Sequence, residues 1–135
     1  NNLKVQHRAA TKYYLSDLGL RLVGARSANS DDGKLLENLV YLELRRKNSN
    51  IYYFKEHGEV DFLVGDAYKP LSAYQSAYSI AEIKTREREI NALVEVSNSY
   101  DLDQLFIVTW NEEETIKLQG KKIEVLPVSK FCGLL

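Results

Sequence analysis

The 135-residue sequence has no methionine, one cysteine, two histidines and two prolines. Each scarcity removes a class of protein. A lone Cys132 excludes an internal disulfide framework and fits a reducing compartment, so a cytoplasmic location is expected. That cysteine lies in an apolar C-terminal tail, where packing is expected rather than nucleophilic work. His7 and His57 stand far from each other and from Cys132, which leaves no zinc-ligand spacing. No run of ~18 apolar residues is present, so no membrane-spanning helix is expected, and no secretory signal is visible. There is no glycine-rich phosphate loop, so these residues are not expected to bind ATP, and no serine-hydrolase signature. A chain that begins at Asn1 and lacks methionine is expected to be a piece of a longer protein.

Charge of one sign is also lacking. Eighteen Lys and Arg against nineteen Asp and Glu give a net charge of -1, which exerts no global attraction on nucleic acid. Any DNA contact must rest on local clusters such as Arg86, Arg88, Lys121 and Lys122, which read first as a solvated helix face and a turn. The 44% hydrophobic and 27% charged content is that of an ordinary globular chain with one core.

What is present is a clear alternation of periods. Tyr13 to Leu20 reads as a short strand or turn, and Ser27 to Gly33 as a polar loop. Asp31 and Asp32 stand where a cap is expected, and Leu35, Leu36, Leu39, Val40 and Leu44 predict an amphipathic helix over about 32–47. Strands are predicted over 51–54, 59–64 and about 71–80, with turns at Lys55–Gly58 and between Gly65 and Pro70. A second helix is expected over 85–97, with Thr85 as its cap and Ile90, Leu93 and Val94 inward. The apolar run Leu105–Trp110 reads as a strand buried on both faces, followed by short strands at 116–118 and 123–128. Turn-linked strands form an antiparallel meander, and the crossover helix brings the 105–110 strand in parallel to one of them. The fold class is therefore α/β with an αβββαβ core, a mixed central sheet flanked by helices, as in restriction-endonuclease-like domains.

The chemistry, if any, lies in Gly58-Glu59-Val60-Asp61-Phe62, an acidic pair opening an apolar strand downstream of the helix that carries Glu37. Hydrolysis of a phosphodiester with Mg²⁺ needs oxygen ligands and usually a lysine near the attacking water. Strand alternation puts Asp61 opposite the core face of its strand, with Glu59 on the same side. Glu37 lies early in its helix, where a carboxylate also suits the helix dipole.

The hairpin partner decides what faces Asp61. A turn centred near position 68 sets Gln75 opposite Asp61, with Ala77 next on that face. The tempting acid–lysine pair Glu82 and Lys84 would reach Asp61 only if Pro70 stood inside a strand, where it removes a ladder hydrogen bond. Glu82-Ile83-Lys84 is then local charge at a strand-to-helix junction. The expected metal set is Asp61, Glu37 and Gln75, a weak Mg²⁺ site because Gln75 brings no charge and Ala77 no ammonium. Lys84 or Lys55 would have to reach in from elsewhere. His57, in the turn before Gly58, is a lesser candidate for phosphate contact. The tyrosines at 13, 14, 52, 53, 74 and 78 are expected to pack rather than stack on bases.

The combination of segments resembles a known family. Lys12 to Leu20, Leu36 to Arg46, Ile51 to Phe54, Gly58 to Phe62, Thr85 to Ile90 and Leu126-Pro127-Val128 resemble the C-terminal domain of prokaryotic ATP-binding proteins. In that family an AAA+ ATPase module precedes a PD-(D/E)XK nuclease-like domain. One branch carries Gln where nucleases carry the strand acid and follows it with a Thr-Arg-Glu-Arg-Glu helix start, as Gln75 and Thr85 to Glu89 do here. The resemblance implies residues 1–30 as a lead-in from an upstream ATPase module and 31–135 as the nuclease-like domain. It implies a weakened nuclease that binds nucleic acid or a protein partner. The alternatives are an active Mg²⁺-dependent DNase using Glu82 and Lys84 or another lysine, and a docking domain that regulates the ATPase without touching DNA.

Overall fold

The predicted leucine stripe does form a helix, α1 (Asn29–Lys47), in the computed structural model, which describes residues 3–5, 29–47, 50–56 and 58–133. Tyr13 to Leu20 and His57 lie outside the described residues. Helix α1 starts at Asn29, so the expected polar loop gives way to helix over 29–33 and the expected cap positions 31 and 32 are helical. Before it, β1 (Leu3–Val5) pairs antiparallel with β2 (Ile51–Lys55), so the expected lead-in adds a strand to the same sheet. Then follow β3 (Glu59–Gly65), β4 (Pro70–Ser76), α2 (Ile83–Ser99), β5 (Gln104–Thr109), β6 (Glu114–Leu118), β7 (Lys121–Pro127) and the single turn α3 (Val128–Phe131).

These strands make a seven-stranded mixed sheet in the order β1-β2-β3-β4-β5-β7-β6. Strands β2, β3 and β4 are the expected antiparallel meander, and β5 lies parallel to β4 with β7 parallel to β5. One face is covered by α2, whose Ile90, Leu93 and Val96 pack on Val60, Leu63, Ile107 and Val125. The other is covered by α1 and α3, with Leu36, Val40 and Leu44 against Phe62, Val64 and Val108. The protein is thus a mixed α/β domain with helices on both faces of its sheet. The β6–β7 hairpin closes through Gln119 (φ 53°) and Gly120 (φ 76°), two left-handed residues that match the strand twist.

The β3–β4 turn sets the register. Asp66 accepts from the backbone N–H groups of Tyr68 and Lys69, closing the turn before Pro70, which begins β4. Phe62 then faces Tyr74, Leu63 faces Ala73 and Val64 faces Ser72, the register expected from the turn, and beyond the Phe62–Tyr74 pair Asp61 meets the Gln75 side chain.

Three further expectations fail for identifiable reasons. Strand β4 stops at Ser76, short of Ile80. Ile80 is buried beneath α2, so its apolar signal belongs to a loop rather than a strand. Thr85 is not the cap of α2. Glu82 holds that position, and the Thr85 hydroxyl donates to its carboxylate at 2.9 Å. Val128 begins α3 instead of ending β7, because the extended Pro127 serves as the N-cap.

Candidate functional site

Strand β3 does not alternate cleanly where it matters. Tyr52 pairs with Leu63 but Phe54 pairs with Val60, so Asp61 and Phe62 together oppose Tyr53 in a β-bulge. Val60 consequently packs under α2 while Phe62 packs under α1. The simple alternation that set Val60 and Phe62 on one core face, with Asp61 opposite both, therefore fails. Both faces of the sheet are covered, and the bulge re-aims the Asp61 side chain.

The bulge is matched by a change in how β3 and β4 are joined. Gln75 is completely buried. Its amide oxygen accepts from the Asp61 backbone N–H at 2.9 Å and its amide nitrogen donates to the Glu59 carbonyl at 2.9 Å. Asp61 returns the contact. Its carboxylate accepts from the Ser76 backbone N–H at 2.9 Å and from the Ser76 hydroxyl at 3.1 Å. Two side chains thus exchange hydrogen bonds with the facing backbones, replacing the regular ladder beyond Phe62–Tyr74. Every polar atom of the Gln75 amide end meets a partner, as a buried amide requires.

Beside this splice an open cleft of about 350 Å³ lies at the C-terminal end of β4. It brings together Glu37 and Lys34 from α1, Asp61 and Ser76 from the sheet, and Arg88 and Glu89 from α2. Two of the predicted site residues, Glu37 and Asp61, therefore share a cleft. Gln75 lies behind its wall, Ala77 and Tyr78 form its rim, and Glu82 and Lys84 are exposed outside it.

Lys34 and Glu89 were not foreseen. Their signal is helical spacing: Lys34 precedes Glu37 by three residues, and Thr85, Arg88 and Glu89 share one stripe of α2. Burial pushes the Glu89 carboxyl above its usual range. Arg88, whose guanidinium lies 3.1 Å away, opposes that rise, and the Glu59 charge adds to it.

The other proposed basic contacts are dispersed. Arg86 forms a two-pronged pair with Glu114 at 2.7 and 3.0 Å, tying α2 to β6. Lys121 and Lys122 begin β7, at the opposite end of the parallel strands from the cleft. Among the described residues Lys34 has no ion pair, which leaves it the available cation of the cleft. Cys132 is partly buried, and desolvation holds its thiol above the ordinary range, in keeping with packing.

A loop network fixes the rim. The Glu112 carboxylate accepts from the Ser79 hydroxyl and from the Ile80 N–H at 2.8 Å. The buried Thr109 hydroxyl accepts from the Glu112 N–H at 2.9 Å, and the Trp110 N–H donates to the Tyr78 carbonyl at 3.1 Å. The segments that leave β4 and β5 are thus tied together. No group of three His, Cys, Asp or Glu among the described residues is arranged to hold a metal ion. The helices described are none of them long and apolar enough to cross a membrane.

Comparison with known proteins gives a family without an assigned activity. The chain is 39% identical over 116 residues to an uncharacterized protein of Methanocaldococcus jannaschii, a match that covers 78% of this chain and 26% of that protein. The chain therefore spans about a quarter of the length of that relative. No solved structure matches it. A family model described as a domain of unknown function, DUF4143, matches residues 32–131. With most of its length covered by that match, the chain belongs to the DUF4143 family.

Proposed function

We propose that this domain is a catalytically weakened module of PD-(D/E)XK nuclease descent that binds nucleic acid, carried at the C-terminal end of a AAA+ ATPase. The observation that carries the reading is the state of Gln75. It stands where the resemblance puts the strand acid of a nuclease, and its amide is taken up by the β3 backbone. Glu37 and Asp61 still meet in the cleft.

As folded, the trio Glu37, Asp61 and Gln75 does not fit Mg²⁺ well. The Gln75 oxygen already accepts from the Asp61 N–H, and one Asp61 oxygen serves Ser76. Mg²⁺ wants several oxygens in near-octahedral order, so any binding by Glu37 and Asp61 is weak and no hydrolytic step is assigned to it. What the cleft does supply is Lys34 and Arg88, cations of the kind that hold a phosphate. The αβββαβ order and the shared cleft of Glu37 and Asp61 support descent from the nuclease fold. That the chain covers only 26% of its archaeal relative leaves room for the upstream ATPase module.

The test is retention and cleavage of plasmid and single-stranded DNA at low salt with Mg²⁺ or Mn²⁺. Retention without cutting is expected. Cutting that disappears in Asp61→Ala would overturn the weakened reading in favour of an active nuclease. Absence of both retention and cutting would leave docking onto the ATPase.

A further inference from the structure

Tyr78 and Trp110 follow β4 and β5 directly, and their rings stack with centroids 5.7 Å apart and planes within 7°. Neither is buried: Tyr78 is 42% and Trp110 39% exposed, two of the large hydrophobic side chains left open to water among the described residues. Their backbones are joined by the Trp110 N–H to Tyr78 carbonyl bond, and the Glu112 and Thr109 network holds both loops. A solvent-exposed aromatic pair held in this way is pre-ordered, so a third flat ring can join the stack with little ordering cost. Tyr78 also lines the cleft that contains Lys34 and Arg88.

We infer that the Tyr78–Trp110 pair is a stacking platform for an unpaired base of a single-stranded nucleic acid, whose adjoining phosphates lie toward Lys34 and Arg88. The inference rests on the nucleic-acid reading above and narrows it to single strands. Bases inside a duplex cover each other's faces, whereas an unpaired base offers one to an aromatic ring. The cations within reach of such a phosphate are Lys34, exposed and without an ion pair among the described residues, and Arg88, exposed and paired with Glu89 at 3.1 Å. The acids Glu37, Asp61 and Glu89 line the same cleft and are less exposed than Lys34 and Arg88. They oppose a phosphate there, which keeps the strand at the rim.

Trp110 is the only tryptophan of the chain, so its emission reports the platform alone. The full chain is titrated against a fluorescein-labelled oligothymidine, and against the same strand annealed to its complement, at low salt. Binding is followed by anisotropy and, with unlabelled strand, by Trp110 emission. The expected result is tighter binding of the single strand with quenching of Trp110. Tyr78→Ala and Trp110→Ala should each weaken it by about 5- to 100-fold, the range of one lost base–aromatic stack, while Trp110→Phe stays close to the parent. Lys34→Gln should weaken binding and flatten its salt dependence by about one counterion. Circular dichroism and melting confirm that these surface variants fold. Single-strand binding that leaves Trp110 unquenched and ignores both alanine variants would overturn the platform and spare the nucleic-acid reading. Equal binding of duplex and single strand would likewise overturn the platform alone. No binding of either strand would overturn both.

Discussion

Gln75→Glu restores, in one atom, the acid that a nuclease strand would carry, and the structure makes its outcome calculable. In the parent, the amide oxygen takes the Asp61 N–H and the amide nitrogen donates to the Glu59 carbonyl, both at 2.9 Å, in a fully buried site. A carboxylate keeps the first bond and turns the second into an oxygen–oxygen contact. Leaving the Glu59 carbonyl without a donor costs about 1–3 kcal/mol, and burying a charge near the Asp61 carboxylate adds to it. The alternative is to bind a proton, which lets the new side chain donate again. Starting from an unfolded-state value of ~4.3, that costs about 1.4 kcal/mol per pH unit, hence about 1 kcal/mol at pH 5 and about 4 kcal/mol at pH 7.5.

The cheaper route wins at each pH. The variant should therefore lose about 1 kcal/mol at pH 5 and about 3 kcal/mol at pH 7.5, the latter near 10 °C in Tm for a chain of this size. The sign follows from linkage. The folded state of the variant holds a proton that the unfolded state has released, so its stability falls as pH rises from about 4.3 to the raised folded value and is flat beyond it. Urea melts of parent and variant across pH 5–8 measure the difference directly. An equal loss at every pH, or none at pH 7.5, would refute the claim that Gln75 serves as a two-way bridge to β3. Cleavage activity gained by the variant would refute the weakened-nuclease reading as well.

Other outcomes follow from single contacts. At Gly65 a Cβ would stand 2.0 Å from the Lys69 carbonyl oxygen and 2.6 Å from the Pro70 Cα, so Gly65→Ala must open the β3–β4 turn. It should cost about 2–4 kcal/mol in chemical denaturation, and a loss below 1 kcal/mol would contradict the close approach. Thr109→Val keeps volume but removes the buried hydroxyl that accepts from the part-buried Glu112 N–H, so a loss of about 1–3 kcal/mol is expected, with a changed Trp110 emission as the loop loosens. Because burial raises the Glu89 carboxyl, the folded state retains a proton that the unfolded chain gives up, and stability declines as pH rises above the ordinary glutamate range. Glu89→Gln removes that decline, so its Tm advantage over the parent should appear on going from pH 4 to pH 7. A constant difference across that range would contradict it.

Much of this architecture was legible because it is local. The leucine spacing of α1, the β-branched and aromatic runs, and the Gly65-Asp66 and Lys69-Pro70 turn signals each act within a few residues, and the hairpin register follows from the turn. Errors arose where a short apolar signal served a tertiary contact. Ile80 is buried by α2 rather than by strand pairing, and Val128 packs from a helical turn. The site was half legible. Glu37, Asp61 and the identity of the residue facing Asp61 could be read from periodicity and register, whereas Lys34 and Glu89 could have been read from helical spacing and were not.

Local patterns therefore suffice for the order of elements from α1 to β7 and for a β3–β4 register that brings Asp61 to an amide instead of an acid. What that amide does depends on packing between distant segments. The bulge at Asp61 and Phe62 depends on how β3 fits between β2 and β4, with helices on both faces, and no pattern within β3 announces it. Once β3 is bulged, Gln75 is drawn into the gap in the ladder, because buried backbone groups must find partners. The cleft lined by Lys34, Arg88 and Glu89 and the joined Tyr78–Trp110 rim arise the same way, from segments distant in sequence brought together by packing.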